Sequence, residues 1–256
     1  MSLNLESMRA KLNASKNGTK ANSKNSTMWR PKAGDQTIRI VPTKDGDPFR
    51  EFQFHYNVGK NPGIYCNKRN DNGECAICDF ASKLWRDGVE SDDNTLKNEA
   101  KKLFARKRYY SPVMVRGHEA EGVKIWAYGK TAYETLLGYV LDPDYGDITD
   151  PETGTDIKLT YTVPGTPGSF PKTNLQPRRR PSVLCDDTIA DCQELLDSVP
   201  DIYGLFEKKT PEQIQECLDG YLSSDSSAEG SSSETAHYKK PSGDVDQAFA
   251  AFMKNE

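Results

Sequence analysis

Apolar and polar positions alternate with period two in five runs along the middle of the chain. "QTIRIVP" (36–42) and "FREFQFHYNV" (49–58) flank the turn "DGDP". "RYYSPVMVR" (108–116) and "GVKIWAYGK" (122–130) flank "GHEAEG", and "DIKLTYTVP" (156–164) is the fifth. Each is predicted to be a strand. Helical spacing occurs elsewhere. "DFASKLW" (79–85) predicts one short helix. "NTLKNEAKKLF" (94–104) predicts another, capped by Asn94, with Leu96, Ala100, Leu103 and Phe104 on one side. "DDTIADCQELLDSVP" (186–200) puts Ile189, Cys192, Leu195, Leu196 and Val199 on one stripe. "TPEQIQECLDGYL" (210–222) opens with Thr210, Pro211 and Gln213, a capping-box pattern. Strands with long insertions and no regular helix alternation predict an α+β, mainly β, fold, an OB-fold-like Greek-key barrel with peripheral helices.

The ends of the chain break this pattern. Residues 1–27 form a polar, basic arm, with Leu5, Met8 and Leu12 at helical spacing near its start. Residues 28–222 hold the predicted core, with a small subdomain at about 55–110. Residues 223–256 are a Ser-rich linker and an acidic tail whose apolar tip carries Val245, Phe249, Phe252 and Met253. Only 35% of the residues are hydrophobic, which fits extended ends around a smaller core. No apolar run is long enough for a membrane span, and the start has no apolar signal core, so a cytoplasmic protein is expected.

Charge is distributed unevenly. The formal net charge is −4, yet residues 1–32 carry seven Lys/Arg against one acid and residues 97–130 carry nine against three. Residues 186–256 carry sixteen acids against five bases. A basic front and an acidic back point to a polyanionic ligand and a negative tail.

The segment "HYNVGKNPGIYCNKRNDNGECAIC" (55–78) has too few large apolar residues to build an ordinary core. It contains His55, Cys66, Cys75 and Cys78, a Cys₃His set in which the two-residue gap of "CAIC" lets both sulfurs face one metal. One structural zinc with no open position is the expectation, which makes the segment at about 55–110 a small zinc subdomain of the barrel. Buried thiols beside a surface histidine are the bland alternative, and a redox pair lacks the βαβ context it needs. Cys185, Cys192 and Cys217 are expected to be helix-packing thiols, and His118 and His237 to be solvated.

Two strands read as a ligand surface. Lys124, Trp126, Tyr128 and Lys130 share one face of "VKIWAYGK", opposite Val123, Ile125 and Ala127. In "ARKRYYSPVMVR", Arg106, Arg108 and Tyr110 share a face, with Lys107 and Tyr109 opposite. Rings that stack bases and cations that follow phosphates suit unpaired nucleic acid. Arg178, Arg179 and Arg180 in "PRRRP", with Phe170 and Lys172 nearby, extend the candidate contacts. The competing reading puts the rings in the core and the cations on a solvated rim. "YGKT" lacks the glycine a phosphate loop needs, "DPDYGDITDPETGTD" lacks calcium-loop order, and no catalytic constellation is apparent, so an enzyme is not expected.

Taken together, the basic arm, "TIRIVP", His55, "YC…CAIC", "RKRYYSPVMV" and "GVKIWAYGK" resemble the single-stranded DNA-binding proteins of T-even-type bacteriophages over roughly residues 8–222. The resemblance implies an OB-fold core and a structural zinc on His55, Cys66, Cys75 and Cys78. It also implies DNA contacts at or near Lys107, Arg108, Tyr109, Tyr110, Trp126 and Phe170. The function implied is cooperative, sequence-nonspecific coating of single-stranded DNA in phage replication, recombination and repair, in the host cytoplasm. Partners would be single-stranded DNA, further copies of the chain, and replication proteins recruited by the tail, where Val245, Phe249 and Phe252 form a docking tip. A zinc-containing single-stranded RNA-binding regulator is the rival, and a metal-dependent nuclease is a third class.

Overall fold

The structure is a computed structural model that describes residues 27–59, 61–165, 170–185 and 192–225. The basic arm and the apolar tip with Val245, Phe249 and Phe252 lie outside the described residues. In chain order the elements begin with β1 (Met28–Trp29), β2 (Gly34–Ile40), β3 (Arg50–His55) and β4 (Ile64–Tyr65). Three helices follow: α1 (Asn67–Asp71), α2 (Ala76–Glu90) and α3 (Asn94–Leu103). Then come β5 (Arg106–Val115), β6 (Lys124–Tyr128), α4 (Lys130–Val140), β7 (Ile157–Thr162) and β8 (Lys172–Pro177). The chain continues to α5 (Cys192–Asp197) and α6 (Pro211–Asp225). The described strands form one mixed sheet ordered β1-β6-β5-β2-β7-β8, with β3 pairing to β4 and β5. Only β1–β6, among the registered pairs, is parallel. No described helix is long and apolar enough to cross a membrane.

The chain divides into two compact units, residues 1–50 with 109–205 and residues 51–108 with 206–256. The first is the sheet unit. Its core gathers Ile38, Ile40, Val113, Trp126, Tyr128, Ile157, Leu159 and Leu175 from the strands, with Ala132 and Leu136 from α4. β-Branched and aromatic residues favour the pleated surface, and the helix covers the side chains they present. A second cluster joins Val41, Met114 and Val123 to Leu184 and Leu195. The strands are therefore buried on both faces, and their inward residues do not follow a single parity.

A charged cluster sits inside this unit. Arg39 is fully buried. Its Nη1 donates to Asp156 Oδ1 at 3.3 Å and Ser182 Oγ at 3.1 Å, and its Nη2 donates to the carbonyls of Asp150 and Ser182 at 2.7 and 2.8 Å. Arg116 donates to both Asp156 oxygens, each at 3.0 Å. One carboxylate thus joins two guanidinium groups and ties β2 to the loop before β7. Gly154 has to be glycine here, because a Cβ would fall 2.5 Å from the Asp150 carbonyl and 2.6 Å from Arg39 Nη2.

The second unit is built differently. Ile77, Phe80, Ala81 and Leu84 of α2 pack with Leu96, Ala100 and Leu103 of α3 and with Ile214 and Leu218 of α6. Gly88 lets the first two helices close together, since a Cβ there would stand 3.0 Å from Leu96 Cβ and from the Lys97 nitrogen. The capping box at α6 forms as the sequence predicts: Gln213 N donates to Thr210 Oγ1, and Thr210 N donates to Gln213 Oε1. At α3 the cap is Asp93, which accepts from Thr95 N at 2.6 Å, one residue earlier than expected.

Two further expectations are corrected. Cys185 and Cys192 are joined by a disulfide with Cα atoms 5.6 Å apart, and are not separate thiols. One continuous helix would hold them about 10 Å apart along its axis. The described part of α5 covers Cys192–Asp197. The strand predicted to run to Lys130 ends at Tyr128, and Lys130 opens helix α4.

Candidate metal centre and nucleic-acid interface

The four metal candidates come from three local structures within the second unit. His55 closes β3, Cys66 caps α1, and Cys75 and Cys78 bracket the first turn of α2. Cys66, Cys75 and His55 are fully buried, and Cys78 is 4% exposed. Their ligand atoms all lie within 4.8 Å of one another. Cys75 Sγ and Cys78 Sγ stand 3.3 and 3.5 Å from His55 Nε2, and Cys66 Sγ stands 3.5 Å from Cys78 Sγ. A tetrahedral zinc with bonds of about 2.0–2.3 Å places its ligand atoms roughly 3.5–3.8 Å apart, so the donors fit that geometry.

The surrounding groups orient the donors. His55 Nδ1 lies 2.7 Å from the Leu103 carbonyl. That contact fixes Nδ1 as the N–H donor and leaves Nε2 facing the sulfurs. Arg69 N donates to Cys66 Sγ at 3.4 Å. Without a metal, burial pulls the His55 pKa down, but hydrogen bonds that the protonated ring donates to the Cys66 and Cys75 sulfurs outweigh it and raise it to about 9. Hydrogen bonds accepted from Cys75 and Cys78 hold the Cys66 thiol low, while those that Cys78 donates to Cys66 and Cys75 push its own thiol up. The pocket thus favours one thiolate and resists a second, as expected when several sulfurs share a buried space. A divalent ion neutralises the set. All four donors are protein atoms, so the site has the closed character of a structural zinc.

The DNA-contact candidates divide sharply. Trp126 is 1% exposed and Tyr128 4%, which overturns the outward face read for "VKIWAYGK". They point into the sheet unit's core: Trp126 meets Tyr128 at 4.4 Å and Trp29 edge-on at 6.1 Å, and Tyr128 shares a 2.6 Å hydrogen bond with Ser111. Tyr109 and Tyr110 are also buried, and Tyr109 stacks on Tyr133 at 3.9 Å. Lys124, on the same strand, stays half-exposed with Glu121 3.6 Å away. The solvent-facing candidates are Arg106, Lys107, Lys130, Lys172, Arg178, Arg179, Arg180 and Phe170, the last 85% exposed. Lys107 pairs with Glu51 at 2.8 Å, and Arg108 is half-buried.

Tyr56 was not singled out in the sequence. Its half-exposed phenol is raised by burial, against which the positive charges of Arg108 and Arg106 work, so it stands close to that basic run. The signal was present in the alternation of Phe52, Phe54 and Tyr56.

Within one chain, the sheet unit and the unit that encloses the closed Cys₃His set define an α+β protein with a buried cluster of four donors that fits one zinc. The family model described as gp32 DNA binding protein like matches residues 32–219, and the chain belongs to that family. No curated protein matches the sequence.

Proposed function

We propose that the chain is a sequence-nonspecific single-stranded DNA-binding protein that coats unpaired DNA cooperatively during phage replication, recombination and repair. The observation that carries this reading is membership of the DNA-binding family across residues 32–219. An OB-fold assignment for the sheet unit belongs to the same reading, as do cytoplasmic location, self-association and replication partners held by the tail.

The mechanism is non-catalytic. His55, Cys66, Cys75 and Cys78 hold one zinc, which replaces a larger apolar core in ordering the segment from β3 to α2. Arg106, Lys107, Lys172 and Arg178 to Arg180 neutralise phosphates, and Phe170 and Tyr56 offer faces to unpaired bases. Tyr109, Tyr110, Trp126 and Tyr128 act by packing, holding β5 and β6 so that their exposed neighbours keep fixed positions. Binding to the unpaired state alone shifts the duplex equilibrium by mass action.

Fluorescence titration with an oligo-dT ladder, its duplex form and the matching oligo-U tests the reading. The expected result is tight binding to oligo-dT, weaker binding to oligo-U and little to the duplex at moderate salt. Equal or better binding of RNA would favour the regulator reading, and a preference for duplex would refute both.

A further inference from the structure

The sheet unit carries a basic groove that neither the strand patterns nor the arginine-rich loop reveals alone. Two adjoining hollows of about 890 and 710 Å³ share Thr37, Arg116, Lys158 and Arg178. Together they are lined by eight Lys/Arg and three acids, in a chain whose formal net charge is −4. The floor is built by register. Thr37 of β2 stands opposite Lys158 of β7, and Lys158 stands opposite Gln176 of β8. One row of side chains therefore crosses three strands on a single face. Arg30 and Lys32, between β1 and β2, line one end, and Arg179 and Arg180 line the other.

The arginine segment is held in place. Arg178 N donates to the Asp156 carbonyl at 2.8 Å, and Ser182 N donates to the Gly154 carbonyl at 3.0 Å. Arg178 Nη2 donates to Thr37 Oγ1 at 3.0 Å. Arg116 is fully engaged with Asp156 and the carbonyls of Val183 and Leu184, so its part is structural. Arg30, Lys32, Arg179 and Arg180 are exposed and carry no ion pair among the described residues. Lys158 is held by Asp35 at 2.7 Å.

We propose that this groove is a phosphate track for single-stranded nucleic acid, crossing β2, β7 and β8 between the Arg30–Lys32 end and the Arg179–Arg180 end. The inference rests on the single-strand reading above, shares Arg178 to Arg180 with it, and adds Arg30, Lys32 and the row across β2, β7 and β8. Charge complementarity favours a polynucleotide: cations recur along an open row, and the lining offers half-buried Trp29 as its one aromatic ring. An acidic peptide would want apolar anchor pockets, which the polar floor of Thr37, Lys158 and Gln176 does not supply. Asp35 and Glu121 are the counter-charges a bound strand must outbid.

The test is the salt dependence of oligo-dT binding by the full chain carrying Arg30→Ala, Lys32→Ala, Arg179→Ala and Arg180→Ala together. Each lost phosphate contact flattens the log–log slope by about 0.7, so a slope shallower by roughly 2–3 is expected. A second variant, Asp35→Asn with Glu121→Gln, keeps the test open if the first does not fold. It should bind several-fold tighter at low salt. Wild-type binding with unchanged slope and affinity in the variants would overturn the groove while leaving the single-strand function standing. No oligo-dT binding by the wild type would overturn both. A synthetic 226–256 peptide whose binding is lost in the quadruple variant, with oligo-dT affinity unchanged, would overturn the track in favour of a protein-docking surface.

Discussion

The metal knot and the sheet unit solve the same problem with different materials. Around His55, Cys66, Cys75 and Cys78 the chain is polar and rich in Asn and Gly, and the donors converge because few other groups there can be buried. In the sheet unit, aromatic and aliphatic residues are plentiful, and which of them face inward is decided by what packs on each face. A constellation of scarce residue types can be read at a distance, because its chemistry leaves few alternatives. A strand's alternation names two faces and does not say which one is covered.

Metal removal should separate the two units most strongly. Structural zinc contributes on the order of 10 kcal/mol in small metal-folded domains. A strong chelator, or Cys78→Ser, is expected to expose residues 56–78 to limited proteolysis first and to lower the Tm, with one zinc per chain lost by elemental analysis. Early cuts confined to the sheet unit would reverse the comparison. Next in size is Trp126→Ala. Removing a fully buried Trp costs about 3–5 kcal/mol, read by denaturant unfolding. If Trp126 instead served as a stacking platform, the same change would leave stability unaltered and cut affinity for oligo-dT. The two measurements on one variant therefore decide between core and contact.

What the sequence disclosed follows the same line. The clustering of His55, Cys66, Cys75 and Cys78, the Thr210–Gln213 box and the five strand runs were legible because each rests on local chemistry. Helix α4 was not: "KTAYETLLGYV" follows directly on β6, and the strand pattern masked its start. β8, "KTNLQP", has one buried apolar residue, Leu175, and becomes a strand only through its pairing with β7. Arg39 occupies a polar position in an alternating run, yet it is buried because Asp156, 117 residues away, meets it. The groove cations come from separated segments, and only the β2–β7–β8 register brings them together.

The smallest expected effect concerns acid and again distinguishes the two units. The Asp150 carboxyl in the sheet unit is held below its ordinary value of 3.8 by the Thr153 backbone N–H first, then by the Thr153 hydroxyl and the Glu152 N–H. A group whose folded pKa is depressed contributes stability that is complete above the unfolded value and lost as pH falls through the folded one. Asp150→Ala should therefore lower the Tm by a constant margin above about pH 5, and the margin should narrow below pH 4. Acid also strips zinc from thiolate and imidazole ligands, but that loss is common to wild type and variant and cancels in their difference. A margin that stays fixed down to pH 2.5 would mean that the Asp150 side chain holds the turn whether or not it is charged. A margin that closes would show the sheet unit carrying its own acid sensitivity, independent of the metal.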